Sequence, residues 1–365
     1  MITALALVAL WGCAVGWIRL RARDPVPLES REVVTSDGWT LRVWRRPAPV
    51  RRWKEPVVLA HGLANHHRVF SFPGPESLAS ALAARGFDCY LVDFRDTVSA
   101  RPPPGRREAT FDDLAECDVP ALASAVLAWS GASSLHWVGH SLGGAVAAVA
   151  PPQPLAGLVT LGSPLFFGAQ RPVVGLLRLG LALTPGARFP LAALAAVLSP
   201  LAGWLPWPRR LAVANVQQLR GEVQRWLLAC AFAPLWRGVL RQLLDFFTHD
   251  VFRSVDRERD LREHLRALAV PCLVVAGEVD ALAPPAMARL HYEQLTTPDR
   301  TLMVLGRAHG QVDDYGHADL ILGLRAPVEV FGPVAAWLEA RSTSALGATL
   351  PTRGEPATEL PLQGT

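Results

Sequence analysis

Short runs of β-branched and apolar residues alternate with helical stretches along most of this 365-residue chain, and no other feature restricts the fold as much. Strands separated by helices pair in parallel, and a parallel sheet needs helices on both faces to bury it. The runs "PVVLAHG" (56–62), "DCYLVDF" (88–94), "LHWVGH", "LAGLVTLGSP", "PCLVVAGEVD" and "RTLMVLG" read as strands, and "ESLASALAARGF", "TFDDLAECDVPALASAVLAWSG", "PPAMARLHYEQL" and "PVEVFGPVAAWLEA" as helices. Ahead of them "REVVTS" and "WTLRVWRR" flank Asp37-Gly38, a hairpin signal because such a pair readily takes positive φ. The expectation is an α/β protein whose mainly parallel central sheet, flanked by helices, is built from residues 30–164 and 262–341.

The alternation stops between Pro164 and about Leu261. Residues 165–261 are rich in Leu, Ala, Pro and Trp, with Trp204, Trp207, Trp226 and Trp236 among them, and carry long helical patterns. An insertion at that point sits above the carboxyl ends of the strands, where open α/β sheets bind ligands. It reads as a large helical cap or lid, with a purely structural helical subdomain as the competing reading.

Composition narrows the partners. The net charge is +4, yet Lys54 is the one lysine and the arginines are scattered between apolar segments. No basic stripe with interleaved aromatics is present, which argues against a nucleic-acid partner. The five cysteines, at 13, 89, 117, 230 and 272, show no C-x-x-C spacing; they read as buried small hydrophobes and not as a disulfide framework or zinc site. His66, His67 and His140 likewise have no ligand spacing to a Cys or carboxylate cluster, so no metal is expected. The sequence does not reveal the oligomeric state.

At the start, Ile2 to Ile18 is apolar and is followed by Arg19, Arg21 and Arg23. That length is at the short end of a bilayer span, and basic residues after it favour a cytoplasmic body. Residues 1–23 are therefore expected to be a membrane anchor through residues 2–18, with export or lipoprotein cleavage at Cys13 as the alternative. At the other end, residues 342–365 are rich in Ser, Thr, Pro and Gly and are expected to be disordered.

Within this frame, "LHWVGHSLGGAVA" (135–147) places Ser141 between Gly139 and Gly143, after a strand and before a small-residue helix. That is the context of a nucleophile elbow, where the serine is presented on a strained turn and the following helix aims its first N–H groups at a developing oxyanion. A serine hydroxyl needs a base, and the base an acid to orient it. Asp280, at the end of the strand in "VVAGEVDALAPP", is the candidate acid, with Glu278 as structural competitor. "GRAHGQVDDYGHADLILG" offers two candidate bases, His309 and His317, and the residues alone leave that choice open.

These segments together resemble the acid lipases of the α/β-hydrolase superfamily, the gastric and lysosomal lipase type, and similar bacterial hydrolases. "EVVTSDGWTLRVWRRP" is similar to their opening hairpin, "HGLANHHRVF" to their "HGL" segment and "GHSLGG" to their elbow. "YGHADLILGLRAPVEVF" is similar to their histidine segment, with Asp319, Ala326 and Pro327 following His317. The likeness covers roughly Glu32 to Leu338, the insertion matching only in length and apolar character. It implies an α/β-hydrolase fold, assigns the base to His317 over His309, and supplies an oxyanion hole from the N–H groups of Leu63 and Leu142, with Gly62 allowing close backbone approach. His61 then holds the loop. One departure is "DFRDTVS", where Asp96 stands in place of the family's glycine.

The function these features predict is that of a serine carboxylic ester hydrolase, an esterase or lipase acting on hydrophobic or lipid esters through an acyl-enzyme, with no cofactor. Acyl transfer or thioester cleavage by the same triad is the alternative, and a non-catalytic membrane-tethered binding protein of the same fold is the alternative of another class.

Overall fold

The computed structural model describes residues 2–21, 28–72, 77–106, 108–168, 171–183, 186–202, 210–211 and 214–345. The hairpin forms as the sequence predicts: β1 (Glu29–Val34) and β2 (Thr40–Arg46) pair antiparallel about Gly38, whose φ is +86°. Six further strands complete the sheet: β3 (Val57–Ala60), β4 (Cys89–Asp93), β5 (Leu135–His140), β6 (Leu155–Leu161), β7 (Cys272–Gly277) and β8 (Arg300–Leu305). Their order is β1-β2-β4-β3-β5-β6-β7-β8, and every pairing from β4 to β8 is parallel.

The two-residue period of a strand divides the core into two layers. Val58 and Ala60 of β3, with Tyr90, Val92 and Trp137, pack under Leu122 and Val126 of α3 (Val119–Ser130) and Val146 of α4 (Leu142–Val149). Val57, Leu59, Leu91 and Val138 face the other way, against Leu78 and Leu82 of α2 (Leu78–Ala84) and, further along the chain, Val334 and Leu338. Local signals set the helix ends. Thr110 and Asp113 exchange side-chain-to-backbone bonds in a capping box, and Gly131 at φ +70° stops α3.

From β3 the chain moves outward to β4 and then crosses back to β5 on the other side of β3. That reversal opens the crevice at which such sheets hold ligands. The loop after β3 and the turn after β5 both end there.

Strands β6 and β7 are neighbours in the sheet although residues 162–271 separate them. That connection carries α5 (Arg171–Ala182), α6 (Leu191–Leu198), α7 (Gly221–Cys230) and α8 (Arg237–His249), with α5 packed on α8 and α6 on α7. Trp226 and Trp236 are buried; Trp204 and Trp207 lie outside the described residues. Backbone hydrogen bonds are among the links that tie the insertion to the core. Ala233 N–H donates to Ala64 O (2.7 Å) on the loop after β3, and Leu324 N–H donates to Gln218 O (2.7 Å) near the last helices. After β7 come α9 (Pro285–Gln294) and, closing the fold, α10 (Gly332–Glu339).

Three expectations need correction. Residues 2–21 form a helix, α1, and among the described residues no helix is long and apolar enough to cross a membrane. Instead of a spanning anchor, α1 lies along the insertion, with Trp11 Nε1–H donating to Val197 O (2.8 Å) and Arg19 Nε–H to Ala229 O (3.0 Å). In the segment expected to be disordered, residues 342–345 pair with 52–54, Lys54 N–H donating to Thr343 O (2.9 Å) and Ala345 N–H to Arg52 O (2.7 Å); residues 346–365 lie outside the described residues. Of the cysteines only Cys89 and Cys272 are buried, and Cys13 is exposed.

Candidate active site

Ser141 stands where β5 ends and α4 begins, at φ +53° and ψ −121°. A non-glycine residue there is strained, and the surroundings must impose it. They do so from both sides: Ser141 N–H donates to Leu161 O (2.8 Å), and Ser141 O accepts from Gly144 N–H (3.2 Å) and Ala145 N–H (3.1 Å). The reversal packs backbone against backbone so tightly that a Cβ on Gly139 would lie 2.3 Å from Gly144 N, and one on Gly143 2.3 Å from Ala60 O. The loop after β3 closes on the same point, for a Cβ on Gly62 would sit 3.0 Å from Ser141 Cβ.

His61 fixes that loop. Its Nδ1–H donates to Gly62 O (2.9 Å) and its Nε2 accepts from Phe94 N–H (3.3 Å), while burial holds its pKa below the usual histidine value. Neither Leu63 N–H nor Leu142 N–H donates to a protein acceptor among the described residues.

Asp280 is buried in the loop after β7. Its Oδ1 accepts from Leu282 N–H (2.8 Å) and Ala283 N–H (2.9 Å), leaving Oδ2 to accept from His317 Nδ1–H at 2.8 Å. His317 is itself buried. Gly162 closes on this pair, since a Cβ there would lie 3.1 Å from Asp280 Oδ2 and 3.2 Å from His317 Nδ1. His309 is elsewhere: it is exposed and its Nε2 faces Glu278 Oε2 at 3.2 Å. The two carboxylates and two histidines that sequence reasoning left in competition thus separate into a buried pair and a surface pair.

Two contacts around His317 were not predicted. His140 Nε2–H donates to the His317 carbonyl (3.0 Å), with the ring centroids 4.8 Å apart. Its Nδ1 is buried without a partner, and burial, reinforced by His317, pulls its pKa down to about 3. Asp319 Oδ2 accepts from Gly316 N–H (2.7 Å) and from Asn215 N–H of the insertion (2.8 Å). Burial pushes its pKa up to about 7. The resemblance to the acid lipases marked Asp319 as following His317 and was silent on what it touches.

Below the crevice, Arg95 is fully buried and donates to Asp118 (2.8 Å) and Asp37 (2.8 Å and 3.0 Å), binding the loop after β4 to α3 and to the hairpin turn. The next residue, Asp96, is buried with neither carboxyl oxygen hydrogen-bonded, and burial beside Asp118 and Asp93 raises its pKa well above the carboxylate range. The fold also gathers what the sequence kept apart: ligand-type atoms of His66, His67 and Asp93 lie within 4.8 Å of one another. Asp93 there accepts from His67 Nδ1–H (2.9 Å), His67 N–H (2.8 Å), Trp44 Nε1–H (3.0 Å) and Ser99 Oγ–H (2.7 Å). Those four donors occupy the carboxylate.

Over residues 55–324 the sequence matches the alpha/beta hydrolase fold family. The chain belongs to this family. Among curated proteins it is similar to gastric triacylglycerol lipase of Rattus norvegicus, 33% identical over 138 residues that cover 34% of this chain and 35% of the lipase. The same enzyme of Homo sapiens is 36% identical over 137 residues, 34% of each chain, and Lipase 3 of Drosophila melanogaster is 32% identical over 132 residues, 33% of this chain and 34% of that one. The match therefore spans about a third of the length of these relatives, and it bears out the acid-lipase-like character read from the sequence. Among α/β-hydrolase structures, a soluble variant of monoglyceride lipase from Saccharomyces cerevisiae superposes with a TM-score of 0.58 at 16% identity, covering 88% of this chain and 99% of that one. An esterase from Thermogutta terrifontis gives 0.56 at 18%, covering 86% and 100%. At these identities the likeness is one of fold.

Proposed function

We propose that this α/β-hydrolase cleaves carboxylic esters, with hydrophobic or lipid esters as its substrates, through an acyl-enzyme on Ser141. The observation that carries the reading is the buried 2.8 Å pairing of Asp280 with His317, whose carbonyl is held by His140, the residue before a serine at positive φ. Because Asp280 accepts from Nδ1–H, the His317 tautomer leaves Nε2 free to take a proton. In the first step His317 Nε2 removes the Ser141 hydroxyl proton as Oγ attacks the ester carbonyl. The Leu63 and Leu142 N–H groups receive the oxyanion. The imidazolium then protonates the leaving alcohol as the C–O bond breaks. Water, deprotonated by the same nitrogen, attacks the acyl-enzyme and releases the acid. His309, paired with Glu278 at the surface, takes no part.

The substrate class rests on the relatives named as lipases and on the insertion, which is read as a cap over the crevice. Its helices present apolar side chains outward, including Leu176, Leu179 and Val197. Hydrolysis of p-nitrophenyl esters of increasing acyl length, with Ser141→Ala alongside and a fluorophosphonate probe to report on Ser141, tests the reading. Turnover rising with acyl length, lost in Ser141→Ala, is expected. Failure of the wild-type chain to take up the probe would overturn catalysis, and a preference for acetate esters would overturn the lipid class.

A further inference from the structure

We infer that Asp319 is a positioning residue that couples the insertion to the alignment of His317. The inference rests on the proposed roles of Ser141 and His317 and concerns what holds the base in place. A single oxygen, Asp319 Oδ2, receives two backbone N–H groups, from Gly316 (2.7 Å), the residue before His317, and from Asn215 (2.8 Å), which belongs to the insertion. Oδ1 of the same carboxyl is buried with no partner. The residues around this junction repeat the link. Asn215 Nδ2–H donates to Asp314 O (2.9 Å), Gln218 Nε2–H to the same carbonyl (3.3 Å), and Leu324 N–H to Gln218 O (2.7 Å). The contact is close as well as bonded: a Cβ on Gly316 would lie 2.9 Å from Asn215 N and 3.0 Å from Ala214 C.

Segment 214–218 therefore cannot shift without dragging the loop 314–319 on which His317 sits. What lies beneath the insertion is thereby felt at the base. An acyl chain that seats the segment fully holds Gly316 and Asp319 in register, and with them the 2.8 Å bond from His317 to Asp280. Misplacement by an ångström is enough to cost a reaction roughly 10- to 100-fold.

The chemistry of the junction supplies its own control. Both donors point at Oδ2 while Oδ1 stands apart, so asparagine at this position offers the same acceptor to both N–H groups and puts its NH₂ where Oδ1 was. A junction based on acceptor geometry survives that exchange, and one based on charge does not. The measurements are kcat and KM for p-nitrophenyl butyrate and hydrogen exchange at the Gly316 and Asn215 amides, with thermal unfolding as the check on folding, in the full chain and in Asp319→Ala, Asp319→Asn and Asn215→Pro. Proline removes the insertion's donor at a φ of −83°, close to its own. Asp319→Ala and Asn215→Pro are expected to lower kcat roughly 10- to 100-fold with KM nearly unchanged, and Asp319→Asn to remain within about threefold of wild type. Unchanged kcat in either folded variant, or Asp319→Asn as damaged as Asp319→Ala, overturns the coupling; should Asp319→Ala not fold, Asn215→Pro decides alone. If the wild type neither hydrolyses esters nor takes up fluorophosphonate, the proposed function has failed. The junction is then judged by exchange: faster exchange at Gly316 in Asn215→Pro supports it, and unchanged exchange overturns it.

Discussion

His140, the residue immediately before Ser141, donates its Nε2–H to the backbone carbonyl of His317 across 3.0 Å. Strand β5 thus does two things at its end, turning the candidate nucleophile out and gripping the loop of the candidate base. Because the ring is buried, that bond is shielded from water and its loss is not repaid by solvent.

Replacing His140 should therefore slow the reaction without disturbing ester binding. For His140→Phe, kcat is expected to fall about three- to tenfold, the equivalent of one hydrogen bond, with KM unchanged. His140→Gln, which retains a donor, should recover most of the loss. Steady-state kinetics on a soluble ester checks both, and equal kcat in wild type and His140→Phe would show that the bond does not position the base.

The same residue makes a prediction about acid. With its folded pKa drawn down to about 3 and an unfolded value near 6.5, the unfolded chain binds the extra proton between those limits. Stability from His140 is thus complete above about pH 6.5 and is lost as pH falls toward 3, at up to about 1.4 kcal/mol per pH unit. Denaturant unfolding at pH 7 and at pH 4.5 should show His140→Gln losing less stability than wild type.

The choice between histidines has a direct measurement. His317→Ala should reduce kcat by about 10³-fold or more, whereas His309→Ala, which breaks an exposed pair with Glu278, should leave kcat within about twofold. The reverse pattern would reassign the base.

Gly62 offers a test of the oxyanion loop that leaves every ionisable group in place. A methyl group at this position meets Ser141 Cβ at 3.0 Å and His140 Nδ1 at 3.2 Å, contacts that slight movement can relieve. Gly62→Ala is expected to fold, with a melting temperature close to that of wild type, while kcat drops roughly 10²-fold because the Leu63 N–H is displaced. A fully active Gly62→Ala would place the oxyanion elsewhere.

Asp96 predicts a stabilising substitution. A buried carboxyl with no hydrogen bond disfavours the folded state, and more so as pH rises. With the folded pKa raised, the folded chain holds its proton longer than the unfolded one, so wild-type stability declines from about pH 4, the unfolded value, upward to the folded pKa. Asp96→Ala should be more stable than wild type by about 1–3 kcal/mol at pH 7, with the gain shrinking as pH falls from the folded pKa toward about 4. Chemical denaturation across that range would detect it.

Much of this molecule was legible in order along the chain. Strand and helix alternation specified a mainly parallel sheet because strand periodicity and helix periodicity are local properties of the side chains. The Asp37-Gly38 turn, the Thr110 cap and the Gly131 stop acted within a few residues of themselves, and the glycines around Ser141 announced a reversal only they can make. What local pattern could not carry was anything settled by a distant partner. The apolar run at the start looked like a bilayer span, and it is a helix docked on the insertion because Val197 and Ala229 carbonyls are there to accept from it. His66, His67 and Asp93 showed no common spacing, and they meet because the loop after β3 folds over the end of β4.

The sequence by itself determined the succession of strands and helices, the elbow at Ser141 and the short set of acids and bases in reach of it. Only the tertiary structure decided which of them meet: Asp280 lies against His317 inside the protein and Glu278 against His309 at its surface. The reason is that a hydrogen-bonded pair depends on distance in space, and the long connections between β7, β8 and the last helices leave that distance open until the sheet closes.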